Sequence, residues 1–129
     1  MMKTAITSGI RVSVTSRYEP AYSQPEASRY FFSYFIRIEN KGETSVKLLR
    51  RQWFIFDSAG MVREVEGPGV VGMTPVIEPN AAYTYNSACD LESSMGSMHG
   101  FYTMLDMETN RHLDVEIPRF MLEAPWMLN

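Results

Sequence analysis

Hydrophobic residues in this chain recur at every second position, the period of a β-strand with one face buried. Ile10, Val12 and Val14 alternate with Arg11, Ser13 and Thr15. Over residues 30–38, Tyr30, Phe32, Tyr34, Ile36 and Ile38 share one face, with Phe31, Ser33, Phe35 and Arg37 on the other. The first half of that segment is aromatic on both faces, so it is expected to be a central strand covered on both sides. Between these two strands, Pro20 and Pro25 bracket an irregular stretch, because each lacks the backbone donor a central strand needs. Further strands are predicted over 46–56, with bulky groups on both faces around Trp53, and over 61–66, 83–89, 101–105 and 113–117. Asn40-Lys41-Gly42-Glu43, Asp57-Ser58-Ala59-Gly60, Glu78-Pro79-Asn80 and Glu108-Thr109-Asn110 supply turns, and 91–96 a serine-bearing connection. About seven short strands without helical periodicity predict an all-β fold, an immunoglobulin-like or fibronectin type III-like β-sandwich, with a small barrel as the alternative. Residues 1–129 read as one domain with its core at about 10–122 and flexible termini at 1–8 and 123–129. Trp126 in the second of these is expected to dock, on its own domain ahead of a neighbour.

One segment departs from the alternation. Gly67-Pro68-Gly69-Val70-Val71-Gly72 has the G-x-G-x-x-G spelling of a dinucleotide-binding loop. Such a loop works when a helix begins at its last glycine and aims free N–H groups at a pyrophosphate. Here Met73-Thr74-Pro75-Val76-Ile77-Glu78-Pro79 follows, and two prolines so close exclude that helix. The glycines still permit a concave array of backbone N–H groups that holds an anion. Two readings stay open: a tight inter-strand loop in which the glycines serve geometry alone, or a cradle for pyrophosphate or nucleotide built from Gly67, Gly69, Val70 and Gly72. The loop itself has no basic residue, so Arg63 just before it and Arg51 on the preceding strand, next to Arg50, are the candidates for positive charge.

Composition narrows the function classes. The 129 residues fit one ordinary domain, and ten Met, seven Tyr and seven Phe suit sheets and adaptable packing. A net charge of −3 gives no general electrostatic support to a nucleic-acid partner. The single cysteine, Cys89, has no partner for an internal disulfide, and no signal segment precedes the fold, so a cytoplasmic location is expected. No apolar run is long enough for membrane insertion. His99, His112 and Cys89 lack the spacing of a zinc site, while Glu64 with Glu66 and Asp114 with Glu116 read as solvated strand faces, so no metal or cofactor is expected. Gly96-Ser97-Met98-His99-Gly100 has its serine one place early for a nucleophile elbow, and Cys89 beside Asp90 lacks an activating base. No catalytic residue is assigned, and the chain is expected not to be an enzyme.

Several spaced motifs occur in one order: Tyr30-x-Phe32-x-Tyr34-x-Ile36-x-Ile38-Glu39-Asn40-x-Gly42, Arg51-x-Trp53, Val65-x-Gly67-x-Gly69-Val70-Val71-Gly72-x-x-Pro75, Gly96-x-Met98-x-Gly100-x-Tyr102-x-Met104 and Val115-x-Ile117-Pro118-x-Phe120. This order resembles the ApaG family over about 10–122. The resemblance implies a fibronectin-type sandwich. It also implies an interaction role, because the domain occurs in larger eukaryotic proteins, including an F-box protein and a polymerase-delta-interacting protein. In bacteria the family name is attached to cobalt and magnesium resistance or efflux, with no established reaction. Two positions depart from the family pattern: Pro79-Asn80 replaces Pro-Gly, and Ser87-Ala88 replaces Ser-Gly. Asn80 is expected to keep the turn, whereas Ala88 does not easily take a positive φ. The expected function is a non-catalytic binding or interaction module. It would offer edge strands, loops and the Met95, Met98, Met104 group to an unidentified protein, or to a second copy of the chain. The alternative is the pyrophosphate or nucleotide module.

Overall fold

Two antiparallel sheets face one another in the computed structural model, which describes residues 1–128. The strands are β1 (Lys3–Thr7), β2 (Ile10–Tyr18), β3 (Tyr30–Asn40), β4 (Val46–Asp57), β5 (Met61–Pro68), β6 (Val76–Ile77), β7 (Ala82–Leu91), β8 (Met95–Asp106) and β9 (His112–Glu123). One sheet has the order β1-β2-β3-β7, the other β5-β4-β8-β9 with β6 beside β4. This is the all-β sandwich that the alternating pattern predicts. Tyr34, Ile36, Trp53, Tyr102 and Val115 meet in one buried core, where each large side chain removed from water contributes about 1.5–3 kcal/mol.

Several expectations change. Residues 1–8 are not a free tail, since Lys3–Thr7 pairs along β2, from Lys3 opposite Val14 to Thr7 opposite Ile10. At the other end β9 runs on to Glu123, and Trp126 packs edge-on against Tyr18 at 5.5 Å and near Tyr30, so it docks on its own domain. Asn129 lies outside the described residues. β3 is central by pairing, between β2 and β7, but its second face is not covered. Phe31 gains a cover there from Tyr22 at 5.6 Å in a 3-10 turn and Ser33 donates to Glu19 at 2.6 Å, while Phe35 is 41% exposed. Met98 and Met104 are buried on the inward face of β8 and belong to the core, so of the three grouped methionines only Met95, half-buried at the start of the strand, is left to a contact surface. Asn80 takes φ +65 as its turn demands; Ala88 lies within β7 without a positive φ.

The two sides of the sandwich differ. On one, Thr7 accepts from the Glu116 amide at 3.1 Å and Ser16 donates to the Met121 carbonyl at 2.8 Å, which joins β1 and β2 to β9. On the other, β5 and β7 are the unpaired ends of their sheets. Between them the sheets part.

Candidate functional site

The local geometry on the open side starts with a bulge. The pairing of β4 with β8 shifts between Leu48 and Arg50, so Val46 and Leu48 point inward before the bulge and Arg51, Trp53 and Ile55 after it. Arg51 therefore enters the space between the sheets, with Gly67 of β5 and Tyr102 of β8 as its cross-strand neighbours. Its guanidinium lies over Gly67, only 3.3 Å from where a Cβ would stand, and donates through Nη1 to the carbonyls of Pro68 and Gly69 at 3.0 Å each. Gly67 is thus a position of close approach.

The rest of the glycine loop is a closed hairpin. Gly69, at φ +59, donates its amide to Leu49 at 2.8 Å. Val70 and Met73 exchange backbone bonds of 2.8 and 2.9 Å across Val71 at φ +48 and Gly72 at φ +77. Two consecutive positive-φ residues match the mirror-image turns that join twisted strands. The amides of Gly69 and Val70 are committed to the carbonyls of Leu49 and Met73, and the atoms the loop turns toward Arg51 are carbonyl oxygens. Val70 is fully buried, while Val71 is 64% exposed.

Arg51, Arg63 and Val70 line one cleft of about 380 Å³, together with Tyr34, Tyr85 and Ser87. Gly72 stands at the loop tip and is not among its lining residues. Arg63 reaches away from the loop to β7. It donates to the Asp90 carbonyl and to Cys89 Sγ at 3.4 Å, and stands 3.7 Å from the Asp90 carboxylate, a latch across the mouth. Arg50 pairs with Glu66 at 3.9 Å in solvent and takes no part.

The hydroxyls of Tyr85 and Tyr102 hydrogen-bond to each other. Burial pushes both phenols above their ordinary pKa, with Arg51 pulling the other way, and burial likewise raises Tyr34, whose hydroxyl faces Ser87. All three are protonated at neutral pH. Burial also lifts the Cys89 thiol to about 11 against the pull of Arg63, so it is not a nucleophile there. Ser97 and His99 are on the outer face of β8, away from the cleft. Arg119 donates to Ser97 at 3.2 Å, and His99 stacks on Phe54 at 5.2 Å with its pKa lowered by burial and by Arg119. Among the described residues no three His, Cys, Asp or Glu side chains come together as a metal would need.

Tyr34, Tyr85, Tyr102 and Ser87 escaped the sequence reading as site residues. Alternation marks them as strand residues, and nothing local in the chain signals that β3 and β7 bring their hydroxyls to one cleft, with the buried Tyr102 hydroxyl of β8 behind Tyr85.

The ApaG domain profile matches residues 20–106. Protein ApaG of Shewanella baltica (strain OS155) is 44% identical over 126 residues, covering 98% of this chain and 99% of that protein. Protein ApaG of Ectopseudomonas mendocina is 47% identical over 120 residues, covering 93% and 94%. The crystal structure of a Bordetella pertussis protein described as ApaA superposes with a TM-score of 0.86 at 38% identity, over 90% of this chain and 94% of that one. The C-terminal domain of Wzt, at 7% identity and a TM-score of 0.54 over 95% and 77%, shares the fold alone. No helix among the described residues is long and apolar enough to cross a membrane. With two thirds of the chain inside the domain profile and relatives above 40% identity along nearly its whole length, the chain belongs to the ApaG family.

Proposed function

We propose that this chain is a non-catalytic binding module whose recognition surface is the open side of the sandwich, with a protein as its partner. The observation that carries this is the cleft itself. Two arginines and the Tyr34 and Tyr85 rings converge between two strands, β5 and β7, that each have a free edge able to accept another strand. Exposed apolar side chains flank it, Val65 at 38% and Val71 at 64%. The family's link to cobalt and magnesium efflux then enters as regulation through contact, in a reducing cytoplasm where Cys89 stays a free thiol. Affinity capture from a bacterial lysate tests the reading with three baits. The wild type and Phe35→Lys, on the outer face of the first sheet, should retain the same partner, whether another protein or a second copy of the chain. Val65→Lys should lose it. Identical capture by all three baits would remove the open side from the interaction.

Small-ligand binding by the loop keeps one specific support: among the described residues the Val71 and Gly72 amides have no backbone acceptor, and Arg51 bonds the nearby Gly69 carbonyl. Diphosphate or nucleotide, with and without magnesium, should then shift those two amides in NMR spectra. Shifts confined to other residues would exclude a phosphate at the loop.

A further inference from the structure

We propose that the cleft recognises a carboxylate with an apolar group beside it, either the free end of a polypeptide or a short organic acid. This rests on the reading of the cleft as a recognition site and names its chemistry.

Tyr102 is fully buried, and its hydroxyl has one partner among the described residues, the hydroxyl of Tyr85. If Tyr102 did not donate in that bond, its proton would be stranded in the core at a cost exceeding the worth of an ordinary hydrogen bond. Tyr102 therefore donates and Tyr85 accepts. Tyr85, which lines the cleft, is left with its own proton to give and no acceptor for it among the described residues. Arg51 stands nearby, close enough to favour the ionised form of Tyr34, Tyr85 and Tyr102. Its Nη1 is spent on two carbonyls, yet Nε and Nη2 have no partner among the described residues, and no carboxylate pairs with it. The cleft thus keeps unspent donors at Arg51 and Tyr85, while its one carboxylate, Asp90, stands 3.7 Å from Arg63.

Charge selects among anions. Arg63 is already neutralised by Asp90, so the lining carries one uncompensated positive charge, at Arg51. That balances one carboxylate and falls short of a diphosphate. The loop adds to the discrimination by turning the oxygens of Pro68 and Gly69 toward the guanidinium, where a phosphate's additional oxygens would meet them unfavourably. A guanidinium and a phenol converging on two oxygens make charge-assisted bonds that are stronger away from bulk water. Trp53, Ile55, Val70 and Met98 supply an apolar wall, and about 380 Å³ is at the small end of ligand pockets. An aliphatic side chain next to the carboxylate fits that space.

Trp53 fluorescence and NMR shifts of cleft amides, with intact protein, read binding of four probes: acetyl-Gly-Leu as the free acid, the same peptide as its C-terminal amide, isovalerate, and diphosphate. The free acid should bind at least about tenfold tighter than the amide, since only the acid offers the charge. Tighter binding of the peptide than of isovalerate assigns a chain end as the natural ligand, and equal binding assigns a free acid. Arg51→Gln should lose about tenfold for the acid and little for the amide. Because Tyr85→Phe alone would orphan Tyr102, the double variant Tyr85→Phe/Tyr102→Phe is the one to test, with a loss of about threefold or more expected in a protein that remains folded. Equal affinity for acid and amide, tighter binding of diphosphate than of the acid, or no cleft response to any probe at about 10 mM would overturn the proposal. A partner still captured by the wild type and lost by Val65→Lys would, in that event, leave the binding-module reading standing.

Discussion

Gly69 and Gly72 carry different constraints although they share one loop. Both have positive φ, but a Cβ on Gly69 would stand 2.1 Å from the Met73 carbonyl oxygen, whereas Gly72 opens on free space. Gly72→Ala should cost about 1 kcal/mol, the left-handed penalty alone. Gly69→Ala adds a backbone collision that no side-chain rotation relieves and should cost about 2–4 kcal/mol. Urea unfolding of the two variants compares them; equal losses would mean that the loop shifts freely. Asp57 is another residue under a specific demand. It is 2% exposed, and accepts from the Ala59 and Glu92 amides and the Ser93 hydroxyl at 3.0, 2.7 and 2.6 Å. Burial raises its carboxyl pKa, but those three donors outweigh burial and hold it below its ordinary value. Since its folded pKa is depressed, its contribution is complete above the unfolded value near about 3.9 and is lost as pH falls through the folded one. Asp57→Asn should lose about 1–3 kcal/mol at pH 7, because the amide turns a donor toward donors. It should also lose less than the wild type on going to pH 3. Parallel losses in urea midpoints would assign the acid sensitivity to other carboxylates.

At the scale of elements, alternation located the long strands because a half-buried strand writes its burial into every second residue. It failed where pairing alone makes the strand. Lys3–Thr7 carries little apolar signal, with only Ala5 and Thr7 partly buried, so it read as a tail, yet five cross-strand pairs with β2 order it. Deleting residues 2–7 should therefore cost about 1–2 kcal/mol through lost ladder bonds and the lost Thr7 contact with Glu116. No change in the unfolding midpoint would restore the tail. Bulges were equally hidden. The extra residue on β4 between Leu48 and Arg50, and the one on β9 between Ile117 and Phe120 opposite Met98 and Gly100, reverse which parity of those strands faces the core, and the sequence shows the first only as bulky residues on both faces. The first shift has a functional consequence, because it puts Arg51 and not Arg50 into the cleft.

For the whole molecule, the candidate site depends on how far apart the two sheets stand, a property no local pattern encodes. Arg51 and Arg63, flanking the glycine loop, and Val70 within it line one cleft, whereas Gly67, Gly69 and Gly72 are not among its lining residues; the tyrosines that complete it, Tyr34 and Tyr85, come from the opposite sheet. Charge, by contrast, is legible at this scale and makes a prediction. The chain has 12 Lys and Arg against 15 Asp and Glu. One basic group gathers Arg11, Arg37 and Lys41, which stand 3.7, 3.6 and 3.5 Å from the one carboxylate of Glu39 on the outer face of the first sheet. Three cations shared with one carboxylate neutralise few phosphates, and each phosphate neutralised contributes a slope of about −0.9 in log K against log salt. Duplex DNA should therefore bind weakly and without sequence preference, with a salt slope no steeper than about −3, and binding should vanish near about 0.15 M salt. A fluorescence titration across salt concentrations checks this. Tight binding that survives physiological salt, or a slope near about −6, would require a phosphate-tracking surface that this charge distribution does not supply.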